Sequence, residues 1–209
     1  MSQMAPQRRC PPDWWLVLSK FCRQGTAIAA LAPSSRWLAL AQLRGIDFEK
    51  AQCIVELGAG TGPITAALLS AVRPGCRVVI VERDRDFCQR LRQRFPQADI
   101  AQCDALELDA VLEARNLQTV DHVLSGLPLP SFPAAERQTL LEVVARRLTP
   151  DGSLRQLTHM PWVYYPMYRG YFQDVQFRLV PFNLPPGGVY VCRGWRGPGS
   201  TQPAPKPGE

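Results

Sequence analysis

From residue 53 to residue 158, short apolar runs bounded by turn signals alternate with stretches in which apolar residues recur every three or four positions. Parallel strands buried on both faces read as continuous apolar runs, and the helices between them read at the 3.6-residue period. The alternation therefore predicts an α/β unit with a parallel sheet. Strands are predicted at 53–56, 77–81, 99–102, 120–124 and 154–158, and helices at 64–72, 86–95 and 134–148. In the second helix Phe87, Leu91 and Phe95 share a face, with Arg90, Arg92 and Arg94 largely elsewhere. Pro150-Asp151-Gly152 stops the third. Two further strands, 176–180 and 189–192, are joined by Asn183-Leu184-Pro185-Pro186-Gly187-Gly188, which predicts a closing hairpin.

Two helices are predicted ahead of this unit. Asp13 is a fitting N-cap for Trp14, Trp15, Leu18, Phe21 and Cys22 at helical spacing, with Lys20, Arg23 and Gln24 on the other side. Such a helix suits a lipid interface, and it equally suits packing on the main domain. Ser34 or Ser35 caps a second helix over 36–44, ended by Gly45. The division expected is a helical segment (1–45) that contacts a membrane and covers the site, a catalytic domain (46–193) and a disordered tail (194–209). Residues 1–12 are also expected to be disordered.

Charge sharpens this picture. Residues 1–50 hold seven basic and three acidic residues, which is +4 of the chain's net +6. That asymmetry suits an anionic surface. The seven cysteines are scattered, with no Cys-x-x-Cys, so reduced thiols in a cytoplasm are expected rather than disulfides or a metal site. No apolar stretch approaches the roughly 20 residues of a membrane span. A peripheral protein on the inner face of the membrane is the expectation.

The chemistry centres on Glu56-Leu57-Gly58-Ala59-Gly60-Thr61-Gly62, which joins the first strand to its helix. A strand, a glycine turn and a helix expose backbone N–H groups to a ligand at a strand's carboxyl end. The dinucleotide fingerprint would require glycine where Pro63 stands. Glu82, ending the second strand, is placed to accept hydrogen bonds from two ribose hydroxyls.

The Glu-x-Gly-x-Gly-x-Gly pattern resembles motif I of the class I S-adenosylmethionine-dependent methyltransferases. Ala32-Pro33-Ser34-Ser35-Arg36, Glu82-Arg83-Asp84, Ser125-Gly126-Leu127-Pro128 and Asn183-Leu184-Pro185-Pro186 narrow the likeness. Together they resemble the bacterial phospholipid N-methyltransferases of the Rhodobacter and Agrobacterium type and their ornithine-lipid counterparts, over roughly residues 13–193. The resemblance implies a Rossmann-like, mostly parallel seven-stranded sheet with a C-terminal antiparallel hairpin and N-terminal helices. It implies S-adenosylmethionine held by Glu56, Gly58, Gly60, Gly62, Glu82, Asp104 and Ser125, with Asp104 at the adenine amino group and Ser125 at the methyl-transfer site. Arg85 stands where that family's pattern has proline.

A lipid amine is the expected acceptor, entering beside the aromatic stretch 159–172, read as a partly exposed lid. His159 and Tyr165 are the candidates to accept a proton, Tyr164 and Tyr168 to contact the acceptor, and Arg169 to meet a lipid phosphate. A more distant likeness reaches the rRNA adenine dimethyltransferases. Leu129 cannot stack on a flipped base, and Gly126 lacks an amide, so no nucleic-acid partner and no metal are expected. Methylation of RNA adenine or of a soluble amine, and a non-catalytic membrane adapter, are the remaining alternatives.

Overall fold

The computed structural model describes residues 36–158, 164–181 and 187–197. The helix predicted from Asp13, His159, Trp162, the Asn183–Pro186 connection and the tail beyond residue 197 lie outside them. In chain order the elements are α1 (Arg36–Leu43), β1 (Cys53–Leu57), α2 (Pro63–Ala71), β2 (Arg77–Glu82), α3 (Arg85–Arg94) and β3 (Asp99–Gln102). A 3-10 turn, Ala105–Glu107, leads to α4 (Leu108–Glu113) and β4 (Val120–Ser125). A second 3-10 turn, Leu129–Ser131, precedes α5 (Ala134–Arg147), β5 (Leu148–Thr158), α6 (Tyr165–Arg169), β6 (Phe172–Val180) and β7 (Gly187–Trp195).

The seven strands form one sheet in the order β3-β2-β1-β4-β5-β7-β6. Strands β1 to β5 pair in parallel, while β7 runs antiparallel to both β5 and β6. The fold is thus the Rossmann-like arrangement with an antiparallel hairpin. Because the chain leaves β3 and re-enters beside β1 as β4, the strand order reverses at β1, and a crevice opens at the carboxyl ends there. Leu43, Ile64, Leu68 and Leu124 pack on one side of the sheet. Leu108, Leu112, Leu140, Leu141 and Tyr190 pack in the larger cluster on the other. A fully buried Leu or Ile contributes about 1.5–3 kcal/mol, so these two layers hold the strand ends in fixed relation.

Several elements differ from expectation, β6 beginning at Phe172 and the short helix α6 being unpredicted. β5 begins at Leu148, because the Pro150-Asp151-Gly152 turn is a bulge within the strand: Val120 pairs with Leu148, and the next pairing is His122 with Ser153. β7 continues through Trp195, into the stretch expected to be tail. The six-residue helix α4 was not predicted.

A polar anchor seats α1 on the sheet. Gln42 is fully buried and donates from Nε2 to the carbonyls of Ser125 (2.9 Å) and Arg155 (3.0 Å). Arg155, also fully buried, answers from Nη1 to the carbonyls of Gln42 and Arg44, both at 2.9 Å, satisfying the carbonyl end of α1. Arg178 also donates to the Arg44 carbonyl. Nearby, His122 Nδ1 lies 3.0 Å from Ser153 Oγ. Burial, and then the charge of Arg155, push the imidazole down to about 4. Between pH 6.5 and 4 the unfolded chain takes up a proton at this position that the folded chain refuses, so its contribution to stability is full above 6.5 and fades as pH falls. In urea unfolding, His122→Asn should therefore lose less stability than wild type between pH 7 and pH 5. Equal losses would contradict this assignment.

Candidate active site

The crevice is built from the ends of β1, β2, β3 and β4. At β1 the apolar run carries one acid inward, and Glu56 is fully buried. Thr65 Oγ1 donates to its Oε2 at 2.7 Å, while Oε1 is buried with no hydrogen-bond partner among the described residues. Burial is the main cause of a carboxyl pKa raised to about 7, and the neighbouring charge of Glu82 adds to it. A cationic amine bound here would satisfy Oε1 and return the group to its ionised form.

The glycine turn follows, with positive φ at Gly58, Gly60 and Gly62. A Cβ added at Gly60 would meet nothing within 4 Å, so the space against this backbone is free for a ligand. Glu82, 8% exposed at the end of β2, holds the turn from the side. Its Oε2 accepts from the Gly60 N–H at 2.9 Å and its Oε1 from the Asp84 N–H at 2.8 Å. Each oxygen keeps a second lone pair, which is what two ribose hydroxyls require.

Asp104 stands at the end of β3. Its Oδ1 accepts from the Leu106 N–H at 3.0 Å and its Oδ2 pairs with Arg83 at 3.2 Å. Its own N–H donates to Glu107, closing a capping box that fixes the turn. Gly58, Glu82, Arg83, Asp104, Leu127, Phe132 and Glu136 are among the residues lining a cavity of about 340 Å³. Acid at one end and apolar wall at the other is what an adenosine needs. A more open groove of about 420 Å³ lies between Arg85, Gln89, Arg92, Gln93 and Gln102. It has no apolar wall and no residue of the glycine turn lines it, so the smaller cavity is the better cofactor site.

Glu56, Gly58, Gly60, Gly62, Glu82 and Asp104 thus gather at one carboxyl edge. Their donors, acceptors and open backbone fit S-adenosylmethionine. Ser125 sits one step behind: it is fully buried, its Oγ accepts from the Leu127 N–H at 3.3 Å, and it does not line the cavity.

The aromatic segment divides. Tyr165 is 39% exposed, Tyr164 and Arg169 are half-buried, and His159 lies outside the described residues. The expectation of an exposed lid is corrected at Tyr168. This side chain is 1% exposed, with its ring 4.8 Å from that of Tyr190 in the core. Burial holds its hydroxyl well above the usual range, which disfavours the phenolate. Tyr171 and Phe172 likewise pack on Trp195, at 5.7 and 5.5 Å between ring centroids.

Sequence reasoning missed Phe132 and Glu136 in the cavity wall, and two buried glutamines behind it. Gln42 had a signal, a polar residue on the stripe of Leu38, Ala39 and Leu43. Gln156 had one too, at the end of the buried run 152–156 of β5.

A family model described as a methyltransferase domain matches residues 54–152. An ornithine lipid N-methyltransferase of Singulisphaera acidiphila is 48% identical over 185 residues, 87% of this chain and 96% of that protein. A ribosomal RNA small subunit methyltransferase A of Thermosynechococcus vestitus is 32% identical over 116 residues, covering 48% of this chain and 43% of its own. An O-methyltransferase from Bacillus cereus, solved in complex with SAH, has the same fold at 15% identity and TM-score 0.57, covering 86% of this chain and 88% of its own.

Proposed function

The chain belongs to the family of the ornithine lipid N-methyltransferases, S-adenosylmethionine-dependent enzymes of the Rossmann-like fold, and from that premise we propose that it methylates the amine of a membrane-lipid headgroup. The observation that carries the reading is the match at 48% identity along 96% of that relative, joined to a cavity whose acids and Gly58 suit the cofactor. Phosphatidylethanolamine and ornithine lipid are the two headgroups the reading allows.

When bound, S-adenosylmethionine supplies a methyl on a sulfonium, whose sulfur keeps the C–S pair as the amine's lone pair makes the N–C bond. The protein's part is to hold and orient. Glu82 and Asp104 would hold the adenosine end, Glu56 Oε1 would accept from the cofactor's cationic amine, and Gly60 would let the ligand lie against the backbone. An alkyl amine with a pKa of about 10.4 is mostly protonated at neutral pH and cannot attack. An apolar entry disfavours the ammonium and yields the free amine without a strong base. Leu127 and Phe132 supply apolar surface in the cavity. Tyr164, Tyr165 and Arg169 remain our candidates for the acceptor side, and His159 for the proton.

Work at a cytoplasmic membrane surface follows from such a substrate. No helix among the described residues is long and apolar enough to cross a membrane. Contact through the N-terminal segment is supported by its basic charge and by α1, where Trp37 and Leu40 are 57% and 43% exposed beside Arg36 and Arg44. Sedimentation with anionic vesicles should fall with salt, and fall again in Trp14→Glu/Trp15→Glu. Vesicle binding unchanged by both would rule out this contact. For the reaction, labelled S-adenosylmethionine offered to phosphatidylethanolamine, ornithine lipid and RNA should mark a lipid, and label in RNA alone would replace our reading with RNA methylation.

A further inference from the structure

Leu57, Ser125, Gln156 and Tyr190 are register neighbours on four adjacent strands, β1, β4, β5 and β7. Side chains in one such row share a face of the sheet, so this row ends in two polar groups set between two apolar ones. Leu57 and Tyr190 belong to the main core cluster. Gln156 is 1% exposed. Its Nε2 donates to the carbonyls of Leu127 and Leu157, both at 2.8 Å. These bonds use both amide hydrogens and fix the side chain's orientation, because the flipped amide would set its oxygen against two carbonyl oxygens. The remaining acceptor, Oε1, is buried with no hydrogen-bond partner among the described residues. A buried polar atom left unpaired in this way calls for an explanation.

Its position offers one. Gln156 grips Leu127, which lines the cofactor cavity. The loop after β4 carries no side-chain amide of its own. Ser125 Oγ is engaged by the Leu127 N–H, and Gly126 has no side chain. The amide that this loop lacks is therefore supplied by the next strand. We propose that Gln156 Oε1 accepts a hydrogen bond from an N–H of the neutral acceptor amine and so aims the nitrogen lone pair at the incoming methyl. The proposal rests on the lipid-amine reading above.

The chemistry of the amine makes this role selective. Each transfer spends the nitrogen lone pair on a new N–C bond, the C–S pair stays with sulfur, and the resulting ammonium must give one proton to water before the next transfer. A neutral primary amine carries two N–H groups, a neutral monomethyl amine carries one, and a dimethyl amine carries none. Gln156 can orient the first two acceptors and has nothing to hold on the third.

The test uses the full chain with vesicles carrying phosphatidylethanolamine or its monomethyl or dimethyl derivative. In Gln156→Met, kcat on the first two lipids should fall about 100-fold, as expected for a misaimed nucleophile. On the dimethyl lipid it should fall at least about tenfold less, any loss common to all three lipids reporting the lost grip on Leu127. Losing the grip on Leu127 would slow all three lipids alike, so an equal fall, or no fall, overturns the role of Gln156 and leaves the lipid-amine reading standing. A wild type that methylates none of the three lipids overturns the lipid-amine reading and this proposal with it.

Discussion

Alanine at Gly62 is expected to cost about 2–4 kcal/mol of stability, while alanine at Gly60 leaves the fold nearly intact and abolishes cofactor binding. The two glycines look alike in sequence, and both have positive φ, +83° at Gly62 and +55° at Gly60. A side chain in that region costs about 1 kcal/mol by itself. What separates them is the neighbourhood. A Cβ at Gly62 would lie 2.7 Å from Cδ2 of Leu91 on α3 and 3.0 Å from a ring atom of Phe95, which caps that helix. Relieving that clash means moving α3 off the sheet, at a further 1–3 kcal/mol or so. A Cβ at Gly60 meets no protein atom and would stand where the ligand should lie. Thermal unfolding and calorimetric titration of the two variants separate the effects. A Gly60→Ala protein that binds S-adenosylmethionine normally would move the cofactor away from this turn.

Glu82→Ala should weaken cofactor affinity about 100-fold or more. Hydrogen bonds to a charged group are worth about 1.5–3 kcal/mol each, and this carboxylate is placed to give two to the ribose. The same change removes the acceptor for the Gly60 and Asp84 N–H groups, so the turn loosens as well. Glu82→Gln keeps one acceptor oxygen but sets its NH2 against one of those N–H donors, and should fall between wild type and alanine. Wild-type affinity in the alanine variant is the result that would count most against this pocket.

Much of this was legible in the chain itself, for a local reason. β1, β2 and β4 are mostly buried, and such strands announce themselves as apolar runs. Glu56, the glycine turn and Glu82 sit at the ends of those runs, where chain position alone places them at one edge. Asp104 was legible twice over: Asp104-Ala105-Leu106-Glu107 is a capping-box pattern as well as the acid after β3.

What was not legible depended on partners far away in the chain. Pro150-Asp151-Gly152 reads as a helix stop, and only its pairing with β4 shows it to be a bulge inside β5. The aromatics of 164–172 give no sign by themselves of whether a surface waits to cover them. Tyr168 is core because Tyr190 on β7 receives it, and Tyr165, three residues earlier, is left at the surface. Gln42 and Gln156 look like ordinary polar residues until their carbonyl partners, 83 and 29 residues distant, come into reach.

The central claim is that this Rossmann-like site serves an amine held in a bilayer. It is tested most directly by offering the enzyme labelled S-adenosylmethionine with one amine in two forms, as a lipid headgroup in anionic vesicles and as the free water-soluble headgroup at equal concentration. The account predicts label in the lipid fraction at a rate at least about tenfold above that of the soluble amine, since the lipid is held at the surface where the protein works. Equal labelling of the two forms, or label in the soluble amine alone, would contradict it.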